Sequence, residues 1–181
     1  VILKEFHLNN PSDYFQDYCR RLTDMPMLVV LKEDGDQLLP DYFLRASHLS
    51  GNAGQDNNPD WKTLVVDENT GDIVAPKGSI GFRWGEQGKW NLKSEDGEGK
   101  EIKAQLTLLG KHDAVADVGF EYFSDANKVD AKPILVRKVP AKRMTLADGS
   151  SVLVATVFDL LVANYGVDRG VAEFASDTVA T

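Results

Sequence analysis

A single cysteine, Cys19, stands among 181 residues. One thiol excludes an internal disulfide, a four-cysteine zinc site and an iron–sulfur cluster held within this chain, and it fits a reducing compartment. Histidine is almost as scarce. His7, His48 and His112 share no H-x-x-x-H or H-E-x-x-H spacing, so they read as ordinary polar residues, not metal ligands. No apolar run approaches the ~20 residues that cross a bilayer. Positive charge is the minority sign: 20 Lys and Arg stand against 28 Asp and Glu, a formal net charge of -8. Phosphate neutralisation needs a basic face, so nucleic acid is excluded as an expected partner.

Several catalytic signatures are missing too. Around Gly88-Lys89 a phosphate-binding loop of the form G-x-x-x-x-G-K-[ST] fails twice, because Arg83 stands where the first glycine belongs and Trp90 where the hydroxyl must be. Gly81, Gly85 and Gly88 do not match G-x-G-x-x-G. There is no G-x-S-x-G or S-x-x-K, which leaves a serine hydrolase unsupported. Asp34, Asp36 and Asp148 lie at turn tips, where turn chemistry explains them. Cys19 falls on the apolar stripe of a helix as a small inert hydrophobe.

What is present is an ordinary globular balance, 43% hydrophobic and 27% charged, in a chain long enough to build a core without metal or disulfide. "NNPSDYFQDYCRRLTDMP" predicts a helix capped by Asn10, with Pro11 at its first position. Tyr14, Tyr18 and Leu22, with Phe15 and Cys19 beside them, form one apolar stripe, and Pro26 forbids continuation. "MLVVLKEDGDQLL" predicts a hairpin turning at Asp34-Gly35, with "FLRASHL" as its extension. Residues 50–60 read as a polar loop, and "WKTLVVDENTGDIVAP" as strand, turn at Asn69-Thr70-Gly71, strand. "NLKSEDGEGKEIKAQLTLL" reads as strand–turn–strand with a charged tip at 93–101, and "DAVADV" as one helical turn. A further strand leads to a hairpin at Asp148-Gly149. The closing helix carries a Thr156/Asp159 capping box, a stripe of Phe158, Leu161, Val162 and Tyr165, and Gly166 as its left-handed terminus. The fold class is therefore α+β: several antiparallel β-hairpins framed by an N-terminal and a C-terminal helix. Residues 1–181 form one β-rich segment with no separate domains within it.

"SIGFRWGEQGKWNL", residues 79–92, is the unusual stretch. Arg83 and Lys89 can hold an anion between Trp84 and Trp90 as walls. The plainer reading, which we prefer, is a turn whose tryptophans bury against a neighbouring surface while the charges stay wet.

"DYFQDYCRRLTDMPMLVVL", "NNPDWKTL", "APKGSIGFRWGEQGKWNL" and "LADGSSVLVATVFDLLVANYGVDRG" occur in order over nearly the whole chain. Together they resemble the catalytic alpha subunit of membrane-bound respiratory nitrate reductase, in the molybdopterin oxidoreductases of the DMSO reductase superfamily. The 79–92 string is the specific part. The "TDMP" string also occurs in relatives that act on selenate, chlorate or perchlorate. The resemblance implies a parent that reduces nitrate to nitrite at a molybdenum bis(molybdopterin guanine dinucleotide), with a 4Fe-4S cluster in the same subunit. It implies quinol electrons arriving through an iron–sulfur beta subunit and a haem-bearing membrane gamma subunit, on the cytoplasmic face of the membrane. The family's cluster ligands and molybdenum-ligating aspartate lie upstream of the matching part. We therefore expect no catalytic, cofactor-binding or metal residue here, and Asp13, Asp17 and Asp24 are not promoted to ligands. "VILKEFHL" and "EFASDTVAT" read as the cut ends of a piece of a longer chain, which alone binds no cofactor and lacks activity. Such a piece would expose an apolar patch near Trp84, Trp90 or the terminal helices. Two alternatives stand beside this reading. One is a fragment of a sister oxyanion reductase. The other is an autonomous acidic binding module that takes its ligand at 79–92.

Overall fold

The computed structural model describes residues 5, 9–77, 95–120 and 135–174, and the 79–92 stretch with Arg83, Trp84, Lys89 and Trp90 lies outside them. Helix α1 is Asp13–Leu22. It starts later than its composition suggests. Ser12, not Asn10, is the cap, its hydroxyl accepting the Phe15 N–H at 3.3 Å. Asn10 is committed elsewhere: its own N–H donates to the Glu5 carbonyl at 2.8 Å and its side chain to the Glu5 carboxylate. Pro11 then precedes the cap instead of opening the helix. Asp13 in the first turn and Arg20 and Arg21 in the last complement the helix dipole. The Thr23 hydroxyl closes the helix by donating to the Cys19 carbonyl at 2.6 Å.

Only one side of the apolar stripe expected on α1 packs inward. Cys19 is buried and packs with Phe15 against Leu106, Phe158 and Val162. Tyr14, Tyr18 and Leu22 face outward at 79%, 46% and 46% exposure. Both rows have helical spacing, and the row that buries is the one facing a partner within reach.

Strands β1 (Leu28–Asp34) and β2 (Gln37–Phe43) form the hairpin expected at Asp34-Gly35, with Asp34 opposite Gln37 and Gly35 at φ 64°. The chain beyond β2 does not extend the strand. It coils through short 3-10 turns at Ala46–His48 and Pro59–Trp61, with a left-handed turn between them in which Gly51, Asn52 and Ala53 all have positive φ. Strands β3 (Val65–Val66) and β4 (Ile73–Val74) are the short hairpin expected around Asn69-Thr70-Gly71. Asp67 builds that turn, its carboxylate accepting the Asn69 N–H and the Thr70 hydroxyl, each at 3.2 Å, and also the Lys103 N–H at 3.0 Å. Of the expected charged tip, residues 95–101 are described and form a turn organised by Asp96; among the described residues of that stretch, single bridges, Glu95 to Glu101 and Asp67 to Ala104, stand in place of strands.

"DAVADV" is not a helical turn. It belongs to β5 (Ala114–Phe120), paired antiparallel over its whole length with β6 (Leu135–Thr145). A short β-branched run is ambiguous between the two states, and the long ladder with β6 decides it. β6 leaves β5 after Ala141 and pairs with β7 (Ser151–Thr156) from Lys142 onward, so Pro140 sits next to the change of partner, where a missing N–H is tolerated. The β6–β7 turn carries Gly149 at φ 84°, and Asp148 accepts the Ser150 N–H at 2.9 Å.

β7 pairs with β1, and β2 meets β5 in a parallel contact at Leu38 and Val118, closing a five-stranded barrel in the order β1-β2-β5-β6-β7. Antiparallel hairpins thus make up most of the sheet, but the element that closes it is parallel. All five strands contribute to one cluster that includes Val29, Leu31, Val118, Val139, Ala141 and Ala155, and this is the barrel interior. The opposite side chains of β1, Leu28 and Val30, pack with Leu44, Leu64, Val66 and Leu108, so the 44–75 and 102–108 segments cover the outside of the barrel.

Helix α2 (Val157–Asn164) follows β7 directly. Phe158 and Val162 are buried as their spacing predicts, whereas Tyr165 is 67% exposed and Leu160 takes the inward position, packing on the barrel interior. Gly166, at φ 62°, ends the helix with its N–H on the Ala163 carbonyl, and the Val167 N–H reaches the Val162 carbonyl at 3.0 Å. This is a Schellman ending, completed by the contact of Val167 with the cluster that holds Val162.

Candidate functional site

The residues between α1 and the 105–111 segment enclose a cleft of about 190 Å³, lined by Gln16, Arg20, Glu68, Gln105, Thr107 and Lys111 among others. Arg20 comes from the last turn of α1. Its Nε donates to the Ala104 carbonyl at 3.0 Å and its Nη2 pairs with Glu68 at 3.1 Å. Lys103 reaches the same Glu68 oxygen at 3.3 Å. Gln105 is buried, its amide donating to the Thr107 carbonyl at 2.7 Å. Arg20, Glu68 and Gln105 in the cleft wall are therefore already engaged.

Behind that wall lies the most strongly polar point of the described core. Asp159 is fully buried on α2. The Thr107 hydroxyl donates to its Oδ1 at 2.6 Å, and the Leu108 N–H to its Oδ2 at 2.7 Å. The Thr156 hydroxyl also donates to Oδ2, at 2.9 Å, while accepting the Asp159 N–H at 3.0 Å. Arg169, whose side chain is 3% exposed, approaches Oδ1 at 2.8 Å and also donates to the Thr107 hydroxyl. Burial pushes the Asp159 carboxyl up from its ordinary value, opposed by the charge of Arg169 and by the donors from Leu108, Thr107 and Thr156.

The capping box read from Thr156 and Asp159 is half present. The cap hydroxyl takes the Asp159 N–H, but the carboxylate does not return to the cap's backbone. Thr156 is in register with Leu28 in the β1–β7 ladder, and the aspartate is instead engaged by the 107–108 segment and Arg169. A carboxylate and a guanidinium that engage each other and a hydroxyl hold three segments together: β7–α2, residues 107–108, and the chain beyond Gly166, with the Arg169 Nε left buried and without a hydrogen-bond partner. Thr107 is fixed between the two charges. That arrangement is a clamp, not a nucleophile with its base.

The residues singled out from sequence do not converge. His48 sits in the 3-10 turn after β2, its Nδ1 accepting the Arg45 N–H at 3.2 Å and its ring edge-on to Tyr42, with centroids 5.0 Å apart. Burial and Arg45 lower its pKa from 6.5, against a smaller opposing pull from Asp60. His112 stands edge-on to Phe174 at 5.4 Å, and its Nδ1 is buried without a hydrogen-bond partner. His7 lies outside the described residues. Cys19 is buried, and desolvation pushes its thiol up more than Arg20 pulls it down. Asp17 pairs with Arg21 on the surface of α1. Asp148 serves its turn, and the hydrogen bonds from Ser150 hold its carboxyl below the usual value. Among the described residues no three His, Cys, Asp or Glu side chains cluster to hold a metal ion. No helix among the described residues is long and apolar enough to cross a membrane.

Sequence reasoning missed the clamp. Its signal was an aspartate inside an otherwise apolar helical stripe, followed by an arginine just past the helix-ending glycine.

The described residues thus form a five-stranded barrel with covering segments and a buried polar clamp. Comparison supplies the kind of protein. No protein-family model matches the chain. The chain is 54% identical over 176 residues to the respiratory nitrate reductase 1 alpha chain of Escherichia coli (strain K12), covering 94% of this chain and 14% of that one. It is 43% identical over 171 residues to the respiratory nitrate reductase alpha chain of Bradyrhizobium sp, covering 94% and 15%. It is 38% identical over 174 residues to the nitrate reductase alpha chain of Bacillus subtilis (strain 168), covering 96% and 14%. The homologues are oxidoreductase chains. More particularly, they are nitrate reductase alpha chains, those of Escherichia coli and Bradyrhizobium sp respiratory ones, and this chain is a fragment that corresponds to a small part of their length.

Proposed function

We propose that the chain is a structural portion of the catalytic alpha subunit of a quinol-linked respiratory nitrate reductase, an enzyme that reduces nitrate to nitrite. The observation that carries this reading is the identity of 54% sustained over 94% of the chain. In the parent, a molybdenum bis(molybdopterin guanine dinucleotide) supplies the oxygen-atom transfer and a 4Fe-4S cluster supplies electrons. Both are held by residues outside this portion. An iron–sulfur beta subunit and a haem-bearing gamma subunit are its partners, and they hold it at the cytoplasmic face of the membrane. What the portion itself contributes is bracing. The barrel, its covering segments and the Asp159–Arg169 clamp form a rigid block against which the reaction centre is assembled.

The test has two arms. The full-length subunit, purified in its complex and given an electron donor, is expected to reduce nitrate in preference to selenate, chlorate and perchlorate. Preference for one of the others would replace nitrate as the substrate. The 181-residue piece, purified alone, is expected to contain no molybdenum and to consume no nitrate. Metal bound in stoichiometric amount would overturn the bracing role.

A further inference from the structure

The outward row of α1 has no work to do within the described residues. Tyr14, Tyr18 and Leu22 recur at intervals of four and form one ridge along the helix. Their exposures of 79%, 46% and 46% leave most of Tyr14 and nearly half of Tyr18 and Leu22 in water. The helix is already anchored by its other side, through Phe15 and Cys19. Other exposed large apolar residues, such as Tyr42, Trp61 and Tyr165, lie singly on separate elements, as they do on any protein surface. The α1 ridge is different in being continuous. It is also bordered by charge, with Asp13 beside it and the Asp17–Arg21 pair along it. An aromatic-rich apolar centre with a polar, partly paired margin is the composition of a buried interface, and tyrosine suits it by burying a ring while its hydroxyl finds a partner.

We propose that this ridge is the seat of another segment of the same catalytic subunit, so that α1 is the helix through which the barrel docks onto the rest of its polypeptide. The inference rests on the reading of the chain as a portion of a nitrate reductase alpha chain. The choice of occupant follows from length. The chain makes up 14% of such alpha chains, so most of the surface that can meet it belongs to the same polypeptide. The carboxylates of Asp13 and Asp17 at the margin oppose an anionic lipid surface as the occupant.

The experiment uses the full-length subunit in its assembled enzyme. Hydroxyl-radical footprinting of the wild-type protein reads the oxidation of Tyr14 and Tyr18 by peptide mass. Both are expected to oxidise slower than in the urea-unfolded subunit by about tenfold or more, the mark of a surface closed in the native state. A photo-crosslinking residue, p-benzoylphenylalanine, is then placed at Tyr14. Irradiation is expected to join it to a peptide of the same subunit outside these 181 residues, with no gain in subunit mass. Oxidation at the unfolded rate overturns the proposal. So does an adduct carrying the mass of a partner subunit or of a second copy. If the crosslinking variant does not accumulate, the wild-type footprint still decides whether the ridge is covered. Nitrate reduction is read separately on the same wild-type preparation. Its absence alongside a protected ridge rejects the parent enzyme and leaves the interface standing.

Discussion

At the scale of single residues, Asp159 is the position where a small change has the largest consequence. Its carboxylate is fully buried, accepts three hydrogen bonds and pairs with a guanidinium that is itself almost wholly buried. Removing one partner leaves the other charged in a dry place. Asp159→Ala and Arg169→Met are each expected to destabilise the protein by about 3–5 kcal/mol. The double variant should lose clearly less than the sum, because it strands no charge. Urea-unfolding midpoints of the three variants test this, and strict additivity would show that the pair is not coupled. His48 gives the pH counterpart. Its Nδ1 accepts a backbone N–H, which only the neutral ring can do, and its folded pKa lies below 6.5. A base whose folded pKa is depressed contributes stability that is fully present above the unfolded value and is lost as pH falls through the folded one. The ring resonance of His48 should therefore titrate below pH 6.5, and the protein should weaken over that same acid window. A midpoint above 6.5 would contradict the assignment. Neither feature was fully legible in the sequence. Asp159 read as a cap because local spacing says nothing about Leu108 or Arg169, which reach it only in the folded chain.

At the scale of elements, where a helix stops was easier to read than which face it buries. Gly166 is the clearest case. A left-handed residue just past an apolar stripe is a local requirement, and it is met at φ 62° with both hydrogen bonds of the Schellman ending. Gly166→Ala should cost about 1–2 kcal/mol, the penalty of a Cβ in the left-handed region. It should leave the fold otherwise intact, so that circular dichroism is unchanged while the denaturation midpoint falls. An unchanged midpoint would mean that the terminus relaxes. Faces failed for a different reason. In α1 the sequence offers two helical rows, Phe15–Cys19 and Tyr14–Tyr18–Leu22, and periodicity fixes that a stripe exists without fixing which way it turns. Burial was decided by Leu106, Phe158 and Val162, residues more than eighty positions away. The same limit applies to Tyr165, which keeps helical register with Phe158 and Leu161 yet points outward. The 113–118 run misled because six residues with two valines satisfy a turn of helix or a strand equally well until β6 is laid beside them.

At the scale of the whole molecule, each tight hairpin was visible in its turn glycine, but the barrel was not. β1–β2 and β6–β7 are joined by neighbours in sequence, whereas closure depends on β2 meeting β5 across the residues that separate Phe43 from Ala114. No local pattern encodes that encounter, and it is parallel where every other pairing in the barrel is antiparallel. It is also thin: β2 and β5 share the single register pair Leu38 and Val118, while β5 runs alongside β6 from Ala114 to Phe120. A barrel with one short seam should open there first, because local opening follows the stretch with the fewest hydrogen bonds to break. Amide hydrogen exchange on the native protein is therefore expected to be fastest, among the strands, along the β5-facing side of β2. The β1–β7 and β5–β6 ladders, which enclose Val29, Val118, Val139 and Ala155, should be the slowest. Val118→Ala, which thins the seam's apolar contact from the inside, should speed exchange in β2 more than in β7. Equal acceleration in both strands would mean that the barrel opens as one unit and that the parallel contact is no weaker than the rest.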